Sequence, residues 1–177
     1  MSTRIVMNSE AIERSIERLA MEIIERNQGV DNLAIVGIHT GGVFMASRLH
    51  EKITAHEENE VPTASLDITL YRDDWSLISQ NPIVRKSNIE FTVADKDVVL
   101  VDDVIFTGRT IRAAMDALMD YGRPRSIQLA VLVDRQGREL PIQPDFTGVC
   151  IRADASERVD VLLSEDREGD EVVLGRK

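Results

Sequence analysis

Residues 98–111, VVLVDDVIFTGRTI, run from four apolar residues into two adjacent acids and then into a turn with a glycine and two threonines. The apolar part is typical of a buried strand, and α/β sheets bind ligands at the carboxyl ends of their strands. The turn, residues 107–110, leads into the next helix, where backbone N–H groups and a glycine that permits close approach form an anion site suited to a phosphate. Asp102 and Asp103 beside this turn suit ribose hydroxyls or a hydrated Mg²⁺. The stretch therefore predicts a pocket for a sugar phosphate.

Two other phosphate-binding motifs are absent from the sequence. Neither the Walker pattern Gly-x-x-x-x-Gly-Lys-Ser/Thr nor the dinucleotide pattern Gly-x-Gly-x-x-Gly occurs. An Asp-Asp pair by itself would more often only end a strand and cap a helix. Because the strand, the acids and the turn follow one another directly, we favour the ligand site over that interpretation.

The elements that must position this stretch alternate between strands and helices. Residues 10–26 place apolar side chains at helical spacing, which predicts an amphipathic helix that begins near Asn8 or Ser9. A second helix is expected over residues 43–53, and a third follows the turn. The runs LAIVGI, DVVLVDD and SIQLAVLVD predict buried strands, and GVCI and RVDVLL are weaker candidates. This order predicts a single α/β domain over residues 1–177, with a largely parallel sheet covered on both faces.

Two segments near the middle of the chain differ from this pattern. ASLDITLYRDD alternates Leu66, Ile68 and Leu70, as on a strand with one covered face. Residues 72–92 show neither helical nor strand periodicity. Because a long segment without a pattern inside a small domain is usually either functional or disordered, we expect a loop of one of these kinds there.

The composition argues against several classes of function. The net charge of −10 disfavours general affinity for nucleic acids or anionic membranes, although it leaves a local basic face open. No apolar run approaches the roughly 20 residues of a membrane span, and the first residues lack an apolar signal core, so we expect a cytoplasmic protein. Cys150, the single cysteine, is expected in a buried strand, and the eight acids within residues 154–171 are expected to be solvated.

The stretch VVLVDDVIFTGRTI resembles the phosphoribosyl pyrophosphate motif of type I phosphoribosyltransferases. IERNQG, DITLYRDD, VLVDDVIFTGRTIRAAMDAL and GRPRSIQLAVLVDRQGRELPI are similar, more narrowly, to the PyrR family, over about residues 12–161. The resemblance implies a type I phosphoribosyltransferase fold, with a mostly parallel sheet flanked by helices, a flexible active-site loop over about residues 72–92 and a small hood. It also implies a homo-oligomeric, Mg²⁺-dependent uracil phosphoribosyltransferase that makes UMP and pyrophosphate. In several organisms, members of the family also bind the leader of pyrimidine-gene mRNA when UMP is bound.

The resemblance also implies roles for individual residues. The nucleotide-binding motif would be one continuous segment, namely Val104, Ile105, Phe106, Thr107, Gly108, Arg109 and Thr110. Its last four residues would cradle the 5-phosphate, while Asp102 and Asp103 would be catalytic and would bind the ribose hydroxyls directly or through the metal. The pyrophosphate loop corresponds to HTGG, which is His39, Thr40, Gly41 and Gly42. Further contacts would come from the catalytic Arg72, from Arg85 and Arg135, and from the backbone of Val159. A solvated loop charge is an equally good interpretation of Arg85.

Two positions depart from what the family and its relatives usually carry. Gly41 occupies the place of an arginine in the pyrophosphate loop, so one cation for the leaving group is missing, and His39, Arg72 or the metal would have to compensate. Phe106 occupies the place of an aspartate that handles a ring proton in purine-specific relatives. An apolar side chain there favours a pyrimidine over hypoxanthine. No residue can be assigned as the base for the N1 proton of uracil.

A second hypothesis treats the pocket only as the nucleotide sensor of an RNA-binding attenuator. RNA binding needs a basic surface, because phosphate contacts supply most of the non-specific affinity. The first helix, residues 10–26, holds five acids and three arginines, which is a poor match to a phosphate backbone. Arg123 and Arg125 add two further cations, which do not decide the question.

Overall fold

The computed structural model describes residues 3–74, 84 and 86–176. Within these ranges, the centre is a sheet of five strands in which every neighbouring pair is parallel, and a second sheet has three antiparallel strands. The strands are β1 (Arg4–Asn8), β2 (Leu33–Ile38), β3 (Thr63–Leu66), β4 (Asp97–Ile105), β5 (Ser126–Arg135), β6 (Phe146–Ile151), β7 (Glu157–Leu162) and β8 (Glu171–Arg176). The helices are α1 (Ser9–Asn27), α2 (Gly41–His56) and α3 (Arg109–Met119), with a 3₁₀ turn at Thr69–Tyr71. The strand order is β3-β2-β4-β5-β6 in the central sheet and β1-β8-β7 in the second.

Helix α1 begins where the sequence pattern places it. The Asn8 side chain accepts a hydrogen bond from the Ala11 N–H at 2.9 Å, which caps the helix. Ile12 and Ile16 are completely buried, so the apolar stripe of the helix faces the core. The predicted amphipathic helix is confirmed. Neither α1 nor any other helix in the described part of the chain is long and apolar enough to cross a membrane.

The central sheet is covered on both faces, which explains its continuously apolar strands. In β2 all six residues are buried, and successive residues face opposite sides of the sheet. Ile35 packs in the core shared with α1 and α2, whereas Val36 packs in the core shared with α3. The predicted parallel sheet with helices on both sides is confirmed, and it brings the carboxyl ends of β2, β4 and β5 to one edge.

Strand β4 is longer than the sequence pattern predicts. Its pairing with β5 extends to the Ile105–Asp134 pair, so Asp102 and Asp103 lie within the strand and not at its end. The prediction that the strand DVVLVDD ends at the acids is wrong, because Val104 and Ile105 still pair with β5. Since the backbone of both acids belongs to a paired strand, their side chains start from a rigid element.

Two further local predictions are wrong. Strand β3 stops at Leu66, and the 3₁₀ turn that follows leaves Leu70 61% exposed, because the chain no longer alternates faces there. Cys150 is exposed, because its side chain points to the face of β6 opposite that of Val149 and Ile151, which pack in the core.

The second sheet contains two strands that the sequence analysis missed, β1 and β8. Strand β8 pairs with β1 on one side and with β7 on the other, so that Leu174 lies opposite both Arg4 and Val159. This sheet is the small hood that the resemblance implied. It carries Val159, one of the predicted site residues, on β7.

A buried ion pair fastens α2 to the segment between β7 and β8. The Arg48 guanidinium contacts the Asp170 carboxylate, and the two side chains are 5% and 3% exposed. Arg48 Nη2 also donates to the Ser164 carbonyl oxygen at 2.6 Å, and the Ser164 N–H donates to Asp170 Oδ1 at 3.0 Å. Burial raises the pKa of Asp170, but the hydrogen bonds from Arg48 and Ser164 outweigh it and hold the pKa below its ordinary value. The prediction of a solvated acidic segment is therefore wrong at Asp170.

Candidate active site

The turn that connects β4 to α3 is called here the TGRT turn, residues 107–110. Gly108 has a φ of 91°, a conformation that favours glycine, and α3 begins at the next residue. The Thr107 hydroxyl accepts a hydrogen bond from the Arg109 N–H at 3.3 Å. Hydroxyls and the N–H groups of a helix N-terminus thus gather in one place, as an anion site requires.

A cavity of about 220 Å³ opens beside the TGRT turn. Its lining combines the turn with the chain that follows the 3₁₀ turn, namely Arg72, Asp73, Asp74, Thr107, Arg109 and Thr110. Arg72 Nε donates to Asp74 Oδ1 at 2.9 Å, and hydrogen bonding to this carboxylate is the main cause of a raised pKa of Arg72. The structure therefore brings the predicted catalytic arginine to the same cavity as the residues predicted to hold the 5-phosphate.

Asp102 and Asp103 precede the TGRT turn on β4 and differ in exposure. Asp102 is 6% exposed, and its Oδ1 accepts a hydrogen bond from the Asp103 N–H at 2.9 Å. Asp103 is half-buried, and its Oδ1 accepts from the Val104 N–H at 2.8 Å. Burial, followed by the charge of Asp103, raises the pKa of Asp102 well above its ordinary value. The negative charge of Asp102 is therefore costly until a cation or hydroxyl donors approach it.

The acid pair suits Mg²⁺ only together with ligands from outside the protein. Nowhere in the described ranges do three His, Cys, Asp or Glu side chains cluster as a metal site. Mg²⁺ in phosphate-handling sites usually takes one or two carboxylates and completes its shell with waters and substrate phosphates. Asp102 and Asp103 fit that pattern, because a divalent cation would stabilise the charge that burial opposes.

The turn between β2 and α2 packs against these acids. It consists of His39, Thr40, Gly41 and Gly42, of which the last two begin α2. The His39 N–H donates to the Leu66 carbonyl oxygen at 3.0 Å, which ties the turn to β3. A Cβ atom on Gly41 would lie less than 3.0 Å from Asp103 Oδ2. A Cβ atom on Gly42 would also lie less than 3.0 Å from the carbonyl oxygen of Val101 on β4. The predicted pyrophosphate loop and a predicted metal ligand are thus in direct contact.

Alanine at Gly41 and alanine at Gly42 are expected to have different effects. Gly42→Ala meets the backbone of β4, which cannot rotate away, so we expect a loss of about 1–3 kcal/mol in the free energy of unfolding. Gly41→Ala meets a carboxylate that can rotate, so we expect a nearly unchanged melting temperature and a weaker affinity for phosphoribosyl pyrophosphate with Mg²⁺. Thermal melts and calorimetric titrations separate the two effects. Equal melting temperatures of the two variants, or unchanged affinity of Gly41→Ala, would contradict this expectation.

Phe106, directly before the TGRT turn, stacks with Arg135, the last residue of β5. Phe106 is 39% exposed, and the Arg135 guanidinium lies over its ring, 3.8 Å from the centroid. Arg135 Nη2 donates to the carbonyl oxygens of Asp154 and Glu157 at 3.2 and 3.1 Å. Its Nε is buried and has no hydrogen-bond partner among the residues described. A buried N–H of this kind is a donor suited to a ligand oxygen.

Of three other predicted site residues, two are buried in the core and one lies outside the described residues. Ile105 is 1% exposed and packs in the core, so only its backbone can reach a ligand. Val159 is 8% exposed and also packs in a core, which is compatible with the backbone contact predicted for it. Arg85 lies outside the described residues, as do residues 75–83 of the predicted loop.

The sequence analysis missed a carboxylate that connects two sides of the cavity. Asp73 accepts hydrogen bonds from Arg109 Nη1 at 2.9 Å and from Arg112 Nη2 at 2.6 Å. Arg112 Nη2 also donates to the Tyr71 carbonyl oxygen at 3.0 Å. Arg109 and Arg112 are three residues apart on one helix, and this spacing is the sequence signal for a shared acidic partner.

Comparisons with known sequences agree with the resemblance. The family model described as "Phosphoribosyl transferase domain" matches residues 2–164. A Bifunctional protein PyrR from Syntrophobacter fumaroxidans is 52% identical over 172 residues, which cover 97% of this chain and 92% of the relative. A protein of the same name from Deinococcus radiodurans is 53% identical over 160 residues, which cover 90% of this chain and 87% of the relative.

Solved structures share the fold at low identity. The hypoxanthine phosphoribosyltransferase of Trypanosoma cruzi has a TM-score of 0.72 and 19% identity, with 98% of this chain and 96% of that chain covered. A hypoxanthine-guanine phosphoribosyltransferase from Bacillus anthracis has a TM-score of 0.66 and 16% identity, with 86% and 85% covered. At these identities the likeness concerns the fold alone.

Proposed function

The chain belongs to the phosphoribosyl transferase family and, within it, to the PyrR family, and we propose that it is a uracil phosphoribosyltransferase. It transfers phosphoribose from phosphoribosyl pyrophosphate to uracil, which gives UMP and pyrophosphate. The observation that carries this proposal is the position of the acid pair on β4, directly before the TGRT turn and its cavity. A sugar phosphate needs an anion site and ribose or metal ligands side by side.

In the proposed mechanism, different residues of the site bind different parts of phosphoribosyl pyrophosphate. The N–H groups and hydroxyls of the TGRT turn bind the 5-phosphate, and Asp102 and Asp103 bind the ribose hydroxyls directly or through Mg²⁺. When bound, Mg²⁺ neutralises charge on the pyrophosphate as it leaves. Arg72 shares the cavity of the TGRT turn and supplies the cation that Gly41 does not.

Uracil is proposed as the base because of the surroundings of Arg135. The buried Nε–H of Arg135 can donate to a pyrimidine carbonyl, and the Phe106 ring beside it offers an apolar face. Phe106 has no carboxylate that could exchange a proton with a purine ring. The likeness to structures of hypoxanthine and hypoxanthine-guanine phosphoribosyltransferases does not oppose uracil, because it extends to the fold only, at 16% and 19% identity.

The purified protein is expected to convert uracil and phosphoribosyl pyrophosphate to UMP, and to do so only with Mg²⁺. The measurement is a parallel assay with uracil, hypoxanthine, guanine and orotate, each with and without EDTA. Turnover of uracil alone supports the proposal. Turnover of a purine or of orotate, with none of uracil, would refute it.

RNA binding is the second candidate function, because the relatives are named bifunctional. Helix α1 has few cations that are free to bind RNA phosphates. Each arginine of this helix has an acidic partner, and the pairs are Arg14 with Glu10, Arg18 with Glu22 and Arg26 with Asp145. Arg18 Nη2 also donates to the Gly148 carbonyl oxygen at 2.8 Å. An RNA phosphate would have to displace these partners.

RNA binding is therefore expected to be weak at physiological salt. Two to four phosphate contacts would give a log–log salt slope of only about −1.4 to −3.6. The measurement is filter binding of the pyrimidine leader RNA from the same organism, with and without UMP, over a salt series. Nanomolar, UMP-dependent and sequence-specific binding would contradict the expectation.

A further inference from the structure

We propose that Arg138 is a positioning residue for the 5-phosphate site, which it orients from behind without contacting the substrate. The segment that carries it, residues 138–142, is called here the rear segment. It follows β5 and packs against the TGRT turn, where Glu139 Oε2 also accepts a hydrogen bond from Arg109 Nε at 2.6 Å. This inference rests on the proposed function, because it concerns the turn that is proposed to bind the 5-phosphate.

The Arg138 guanidinium joins three parts of the chain. Its Nη1 donates to the Phe106 carbonyl oxygen at 2.9 Å, directly before the TGRT turn. Its Nε donates to the Ile142 carbonyl oxygen at 2.8 Å, and its Nη2 donates to Asp134 Oδ2 at 2.8 Å. The Arg138 side chain is only 14% exposed. The planar Arg138 guanidinium, whose N–H donors have a fixed geometry, therefore holds β5, the rear segment and the TGRT turn at set distances from one another.

The next peptide of the TGRT turn is held by the same segment. The N–H groups of Glu139 and Leu140 donate to the Thr107 carbonyl oxygen at 2.9 and 3.2 Å. The carbonyl oxygens of Phe106 and Thr107 are thus both bound to residues of the rear segment. Gly108 also faces it, because a Cβ atom there would lie 3.5 Å from Leu140.

Because a peptide group is planar, the direction of the Phe106 and Thr107 carbonyl groups also fixes the direction of the N–H groups that follow them. In a trans peptide the C=O and the following N–H point in opposite directions. The only cis peptide in the described part of the chain joins His39 and Thr40, so the peptides after Phe106 and Thr107 are trans. Since their carbonyl groups point to the rear segment, the N–H groups of Thr107 and Gly108 point away from it. Arg138 therefore helps to aim these donors towards an anion.

Residue 137 allows the rear segment to approach this closely. Gly137 has a φ of 141°, a conformation that favours glycine. A Cβ atom on Gly137 would lie less than 3.0 Å from Phe106 Cε2, so the turn into the rear segment passes directly against the Phe106 ring. The contacts behind the TGRT turn therefore depend on a glycine and an arginine that are adjacent in sequence.

The test compares two ligands that occupy different halves of the proposed site, in isothermal titration of the full chain. For Arg138→Met we expect the affinity for ribose 5-phosphate to fall about tenfold or more, because losing the charge-assisted hydrogen bond to the Phe106 carbonyl oxygen releases the N–H groups that follow it. The affinity for Mg²⁺-pyrophosphate should stay within about twofold, because Arg138 contacts neither the acid pair nor the HTGG turn. Arg152→Met is the matched control, since Arg152 is exposed and donates to Gln136 Oε1 at 3.0 Å, away from the TGRT turn. It should leave both affinities unchanged.

A second pair of variants keeps the test valid if Arg138→Met folds poorly. Arg138→Met removes the cation next to Asp134, which is 8% exposed, so the double variant Asp134→Asn/Arg138→Met removes both charges. It should show the same selective loss of ribose 5-phosphate affinity. Asp134→Asn alone keeps the hydrogen bonds from Arg138 to the Phe106 and Ile142 carbonyl oxygens, and should bind ribose 5-phosphate as the wild type does.

The outcomes separate this inference from the proposed function. Wild-type protein that binds neither ligand would refute the proposed function. Wild-type protein that binds both, with Arg138 variants that lose neither affinity or lose both equally, would overturn the positioning role of Arg138 and leave the proposed function intact. A selective loss of ribose 5-phosphate affinity in the Arg138 variants supports the role.

Discussion

Replacing Arg48 by methionine is expected to lower the free energy of unfolding by about 3–5 kcal/mol. The substitution keeps a long side chain but leaves the Asp170 carboxylate, 3% exposed, without its cation. It also removes the hydrogen bond to the Ser164 carbonyl oxygen. At about 2–4 °C per kcal/mol for a chain of this size, the melting temperature should fall by about 6–20 °C. Denaturant titration at pH 7 measures the change directly.

The pH dependence of this variant gives an independent check. The pKa of Asp170 is lower in the folded protein than its ordinary value of 3.8, so the ion pair contributes its full stability above about pH 4 and loses it as the pH falls through the folded pKa. Arg48→Met should therefore lose less stability in acid than the wild type does. Arg167→Met is the control, because the pair of Arg167 and Glu51 is 39% and 54% exposed and should contribute no more than about 1 kcal/mol. A loss below about 1 kcal/mol for Arg48→Met would mean that the pair is not a stabilising contact.

Replacing Asp103 by asparagine is expected to preserve the fold and to reduce kcat/KM about tenfold or more. Asparagine has nearly the same shape, and its Oδ1 can still accept the hydrogen bond from the Val104 N–H. It cannot supply the negative charge proposed to hold the ribose hydroxyls or Mg²⁺, and a hydrogen bond to a charged group is worth about 1.5–3 kcal/mol. Steady-state kinetics over a series of Mg²⁺ concentrations, together with thermal melts, measure both parts of this expectation.

A matched control for this variant lies on α3. Asp116 is an exposed carboxylate that pairs with Arg112, away from the TGRT turn, so Asp116→Asn removes the same charge without touching the acid pair. Its kinetics should be those of the wild type. If Asp103→Asn also has unchanged kinetics, Asp103 only orders the backbone of its own strand.

The parts of the fold that could be predicted from the sequence are those encoded by nearby residues. Helix α1 and the strands LAIVGI, DVVLVDD and SIQLAVLVD each contain their own periodicity or apolar run, so each was recognised without knowledge of its neighbours. The TGRT turn and the acid pair were found for the same reason, because strand, acids and turn are contiguous. Strands β1 and β8 are short, and they form a sheet only by pairing across almost the whole chain.

The contacts that the sequence could not reveal join residues far apart in the chain. Asp170 was predicted to be solvated because its sequence neighbours are acidic, and its burial depends on Arg48, 122 positions away. The packing of Asp103 against Gly41 depends on how closely α2 approaches β4. Arg138 was missed because the partner that connects it to the TGRT turn, the Phe106 carbonyl oxygen, is a backbone group with no sequence signature.

The pairing of β1 with β8 has a consequence for biosynthesis. Arg4 pairs with Leu174, so β1 stays without its partner until β8 has been made. The strands of the central sheet, which carry the acid pair and lead into the TGRT turn, precede β8 in the chain and are made earlier. Until β8 emerges, β1 and β7 present unpaired edges to other nascent chains. The interval before β8 emerges is therefore the one in which these edges are most exposed to aggregation.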